Sequence, residues 1–123
     1  MKLFKDLTTD DVLYWYEFNN ISGPTDTNTS KILNIQDSDN FPGWKVLQIE
    51  MCVDKENKVV DICFYGDEDH STDTWITDNP ITFSPNKEWL EGHKIKYIEG
   101  LIKSHEYEIN WLKAKLSYLR SNQ

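Results

Sequence analysis

Between residues 95 and 119 the chain places Ile95, Ile98, Ile102, His105, Ile109, Leu112, Leu116 and Leu119 at intervals of 3, 4, 3, 4, 3, 4 and 3 residues. That spacing keeps one narrow face of an α-helix apolar for four heptads, and no strand can use it, because strands alternate every second residue. Seven of the eight positions are aliphatic, and His105 stands where another aliphatic residue is expected. The helix has a well-specified start in "SPNKEW", where Ser84 offers an N-cap, Pro85 suits the first helical position, and Glu88 and Glu91 fall in or near the first turns. Gly92 and Gly100 each cost about 1 kcal/mol relative to alanine. The register nevertheless passes through Gly100 unchanged at an outer position, so one continuous helix is expected rather than a helical hairpin.

A helix running from Ser84 to Arg120 would be roughly 54 Å long. The residues before it form too small a module to cover that length, so part of the helix is expected to project or to meet another helix. In a parallel pair Lys94 would face Glu99 and Glu108 would face Lys113, both attractive, while Lys115 against Arg120 is repulsive. Isoleucine at most first core positions, with Leu112 and Leu119 at the second in the last two heptads, points to a dimer; Ile98 and the apolar Leu101 beside the seam also permit a trimer. Tyr97, Trp111 and Tyr118 fall on the face adjoining the seam. The expected partner-binding set is therefore Ile95, Ile98, Leu101, Ile102, His105, Ile109, Trp111, Leu112, Leu116 and Leu119. The competing expectation is that half of this face packs on the protein's own sheet.

The remainder reads as strands. "VLYWYEF" (12–18) and "TSKILNIQ" (29–36) are rich in strand formers and flank a loop, "NNISGPTDTNT", made of turn residues. "WKVLQIEMCV" puts Leu47, Ile49, Met51 and Val53 on one face, and "KVVDICFYG" does the same with Val60, Ile62 and Phe64. Joined by "DKEN", these two form the best hairpin in the chain. "TDTWITDNPITF" follows as one strand or two, with Pro80 marking an edge or a bend. The fold class is α+β: a small antiparallel sheet or barrel of about five strands over residues 1–83, then one long C-terminal helix with coiled-coil heptads over residues 84–121. Trp15, Trp44 and Trp75 are expected in the core rather than in a contact patch.

Cys52 and Cys63 lie on the two arms of the hairpin, and one of two registers would set them opposite each other. No apolar leader precedes the acidic cluster in "MKLFKDLTTDD", and no run of 18 apolar residues occurs, so a cytoplasmic protein with two buried thiols is expected. No membrane contact is expected either.

Charge is divided unevenly. The 123-residue chain has a net charge of −8; residues 1–83 hold 6 lysines and 16 acids, and residues 84–123 hold 7 basic residues and 5 acids. An acidic body repels phosphate, and Arg120 as the single arginine leaves no guanidinium forks for guanine or phosphate, so direct nucleic-acid binding is not expected. A basic partner surface is compatible with it.

Motifs for catalysis are missing: there is no P-loop, no G-x-S-x-G, no H-E-x-x-H and no glycine-rich dinucleotide turn. The acidic stretch "GDEDHSTDTWITD" (66–78) imitates a calcium loop with Asp67, Asp69 and Asp73, but it has Thr72 where the sixth-position glycine belongs and lacks the terminal glutamate. These three are weak metal candidates, and a solvated hairpin tip is the ordinary reading. No cofactor and no enzymatic activity are expected.

An acidic all-β module running through "ITFSPNKEW" directly into a heptad helix resembles small accessory proteins of tailed bacteriophages. Twelve lysines against one arginine, ten asparagines, eleven isoleucines and Ala114 as the single alanine agree with an AT-rich genome. The resemblance implies a role in assembly, or in binding a host or virion protein, in the host cytoplasm or the virion; it supplies no catalytic residues. The chain is thus expected to be a non-enzymatic structural or adaptor protein that self-assembles as a dimer or trimer, or binds a protein partner, through its helix. The alternative is an acidic inhibitor of a nucleic-acid-processing enzyme, in the manner of DNA mimics and CRISPR inhibitors.

Overall fold

Strand formers and alternation decide where the sheet lies. A computed structural model of the chain describes residues 1–19 and 22–123. It places strands at β1 (Val12–Asn19), β2 (Gly23–Pro24), β3 (Asn28–Asp37), β4 (Trp44–Val53), β5 (Glu56–Tyr65), β6 (Ser71–Asp73) and β7 (Ile81–Ser84), followed by helix α1 (Lys87–Ser121). Residues 20 and 21, in the loop expected after β1, lie outside the described residues. The antiparallel sheet has the order β5-β4-β3-β1-β7-β6, with the short β2 paired to the end of β1.

On a flat sheet β5 and β7, four places apart in that order, would be separated by roughly 19 Å. Phe64 of β5 and Phe83 of β7 instead meet edge to face with ring centroids 5.5 Å apart. The sheet is therefore curled into a half-barrel, and its concave side holds the core: Leu13, Trp15, Ile32, Leu47, Ile49, Met51, Ile62, Phe64, Ile81 and Phe83. One cause of the curl is a bulge in β3. Ile32 pairs with Ile49 and Asn34 with Gln48, so Leu33 is an extra residue, and the phase shift lets both Ile32 and Ile35 face inward. An extra residue on one strand bends it and increases its twist.

The N-terminus closes one end. A single 3-10 turn, Phe4–Asp6, stacks Phe4 on Phe64 at 4.3 Å, and the Phe4 and Lys5 N–H groups each donate to the Glu68 and Gly66 carbonyls at 3.0 Å. Gly66 in turn donates to the Gly43 carbonyl at 2.9 Å; a Cβ on Gly66 would lie 2.9 Å from that same oxygen, so only glycine fits.

The β4–β5 hairpin has the expected alternation but a tighter turn. Val53 pairs with Glu56, leaving only Asp54 and Lys55, both with positive φ (53° and 67°), as a type I′ turn. In this register Cys52 faces Asn57 and Cys63 faces Val46. The thiols are thus six rungs apart, roughly 20 Å along the strand, and free. Neither is fully buried, contrary to expectation: Cys52 is exposed and Cys63 half-buried. Of the three tryptophans expected inside, Trp15 is buried and donates its indole N–H to the Ser30 hydroxyl at 2.8 Å, whereas Trp44 and Trp75 are exposed.

Ser84 is not the helix cap. It closes β7, fully buried, with its hydroxyl donating to the Asp69 carbonyl at 2.7 Å and accepting from the Asn86 N–H at 3.0 Å. The first helical bond runs from the Leu90 N–H to the Asn86 carbonyl, and the Asn86 side chain exchanges two hydrogen bonds with the Lys2 backbone. The last strand takes the serine because its backbone pairs with Tyr14 of β1. The chain divides into two compact units, Met1–Gly92 and His93–Gln123. Among the described residues no helix is long and apolar enough to cross a membrane.

Candidate assembly surface and acidic loop

Helix α1 has 35 residues, and Leu90 is the one that is fully buried. Ile95, Ile98, Ile102, Ile109, Leu112, Leu116 and Leu119 are 43% to 59% exposed, an even exposure that leaves the whole expected seam open in the single chain. Leu101, in the row beside it, is half-buried. Fully covering an aliphatic side chain of this size is favourable by about 1.5–3 kcal/mol, so seven half-covered ones carry a substantial unused driving force.

His105 sits in that seam and is itself exposed, its Nδ1 3.7 Å from the Glu108 carboxylate one turn on. Trp111, also in the expected partner-binding set, is exposed. At 100° per residue it lies about 130° from the centre of the seam, beyond the row that holds Leu101, Glu108 and Lys115. Its ring receives the Lys115 ammonium, 5.0 Å from the centroid.

The acidic residues of 66–78 are not gathered into one loop. Asp67 pairs with Lys5 at 2.9 Å, and that hydrogen bond and charge hold its carboxyl below the ordinary carboxylate range. Asp69 lies 2.7 Å from His70 Nδ1, and the His70 ring is stacked on Trp89 at 4.3 Å. Asp73 is on strand β6, opposite Ile81 and so on its inward face. Burial pushes its carboxyl up, with a hydrogen bond from Trp75 opposing, and its Oδ2 has no hydrogen-bond partner among the described residues. Among the described residues the group that does converge is Glu68, Asp69 and His70, with ligand-type atoms within 4.8 Å of one another. Asp69 is the one member it shares with the weak metal candidates.

An exposed aromatic cluster escaped the sequence reading except for Trp44. Phe41 and Tyr65 flank Trp44 with ring centroids at 6.2 and 5.6 Å, and Gly43, at a φ of +83°, turns the chain between Phe41 and Trp44. The signal was "FPGW" next to a strand whose partner ends in tyrosine. Compared with protein-family models, curated proteins and solved structures, the chain matches none.

Proposed function

We propose that the protein is a non-enzymatic structural or adaptor protein that assembles through the face of α1 between residues 95 and 119, with a second copy of the chain or a partner's helix lying parallel to it, and that it presents its β module to another protein. The observation that carries this reading is the run of exposed aliphatic residues at unbroken heptad spacing in a helix whose one fully buried residue is Leu90. The pairs Lys94 with Glu99 and Glu108 with Lys113 favour the parallel arrangement. A place among the accessory proteins of a tailed phage, in host cytoplasm or virion, agrees with the layout and composition. Thermal unfolding followed by circular dichroism over a hundredfold range of protein concentration tests it. A self-associating helix makes the midpoint rise with concentration; a constant midpoint would refute assembly with a second copy and leave the partner's helix as the occupant.

The excess of acid over base in residues 1–83 favours one second reading, an acidic inhibitor seated in the basic groove of a nucleic-acid-processing enzyme. Binding of that kind weakens steeply with salt.

A further inference from the structure

Strand β5 is one edge of the sheet, and its register fixes what that edge offers. The two-residue turn makes Val53 and Glu56 a hydrogen-bonded pair, and pairing runs unbroken to Trp44 opposite Tyr65. Hydrogen-bonded positions therefore recur at Lys58, Val60, Ile62 and Phe64. The N–H and C=O groups of Asn57, Val59, Asp61 and Cys63 consequently point away from β4. Among the described residues no hydrogen bond reaches these four backbone positions.

The side chains of the same four residues lie on the outer face, and their order is informative. Cys63 joins Phe41 and Trp44 in lining an open apolar pocket of about 230 Å³. Two residues along the edge stands Asp61, exposed, and two further is Val59, opposite Glu50 on β4. Neither carboxylate makes an ion pair among the described residues; Lys31 stands opposite Glu50 on β3 without pairing to it, and Asp61 has Gln48 opposite on β4. An apolar recess followed at strand spacing by acids is complementary to an extended segment with an apolar side chain and, two residues on, a lysine or arginine. Backbone pairing supplies affinity in such additions, and alternate side chains supply specificity.

We propose that the free edge of β5 is the docking site for an extended basic segment of a partner protein, which adds to the sheet as a further strand with an apolar side chain over Phe41, Trp44 and Cys63 and a cationic one facing Asp61. A second copy of this chain fits less well. Pairing β5 with β5 about a two-fold through Asp61 would seat Val59 near the pocket but set two Asp61 carboxylates opposite each other, and like charges so placed are destabilising. This docking goes beyond assembly through α1 and does not depend on it.

The test uses the full chain, immobilised, against a displayed library of random eight-residue peptides. Enriched sequences are expected to alternate an apolar residue with lysine or arginine two positions on, and their synthetic peptides to slow alkylation of Cys63 more than of Cys52. Binding should weaken at least tenfold in Asp61→Lys and in Val59→Pro, because proline at that position removes an outward N–H and leaves the β4 ladder intact. Asp61→Asn, the mildest change, should lose part of the affinity, and Ile102→Asp with Ile109→Asp should keep all of it. No enrichment, enriched peptides without the alternation, or affinity indifferent to Val59→Pro and Asp61→Lys would overturn the proposal. So would a dimer that survives the two helix substitutions and is abolished by Val59→Pro, since the occupant would then be a second copy.

Discussion

Phe64 and Phe83 touch edge to face at 5.5 Å although their strands stand four places apart in the sheet. Phe4 stacks on Phe64 at 4.3 Å, so three rings from the N-terminal turn, β5 and β7 join across the half-barrel. Phe83→Ala should cost about 3–5 kcal/mol, as for other fully buried phenylalanines. Urea unfolding followed by tryptophan fluorescence measures it. A loss under 1 kcal/mol would mean that the curl is held by the β3 bulge alone.

Asp73 is an acid facing inward on the edge strand β6, a placement that discourages further strands from adding there. Since burial raises its pKa, the folded chain holds that proton more tightly than the unfolded one. Stability therefore falls as pH rises from the ordinary carboxyl value of about 3.9 through the raised folded value, and the deficit persists at pH 7. Asp73→Asn should raise the urea midpoint at pH 7, with the gain disappearing as pH falls below about 4. A variant less stable than the parent at pH 7 would show that the carboxylate has a stabilising partner.

The hairpin was legible because Leu47, Ile49, Met51 and Val53 alternate without interruption and every one of them is buried. Helix α1 was legible for the same reason at a different period. What stayed hidden was set by tertiary pairing. Nothing in "KILNI" marks Leu33 as the bulged residue, because Ile32, Leu33 and Ile35 are all apolar and the phase is decided by β4. The type I′ turn is made by Asp54 and Lys55 without the usual glycine, so the loop looked longer and the cysteine register could not be fixed. The run of acids around 66–78 looked like one solvated tip, while backbone pairing with β7 draws residues 71–73 into the sheet. On the helix, spacing was enough to read the element itself, and the side-chain contact between Trp111 and Lys115 was invisible to it.

The proposed assembly through α1 is expected to depend on pH through His105. In a parallel pair two His105 rings would face each other, and two imidazolium charges so placed would repel. Protonation of the facing rings favours the separated chain, so association through α1 is expected to be stronger at higher pH and to weaken in acid. Light scattering at pH 8 and pH 5 should show dissociation at the lower value, and His105→Leu should remove the difference. An assembly indifferent to pH between 5 and 8 would place His105 outside the seam.

Sedimentation equilibrium at micromolar concentration tests assembly through α1 most directly, comparing the parent chain with one carrying Ile102→Asp and Ile109→Asp. The parent is expected to give two or three times the 14.5 kDa chain mass, and the variant the mass of one chain with its β module still folded. A parent that sediments as a single chain, or an oligomer untouched by both substitutions, would contradict it.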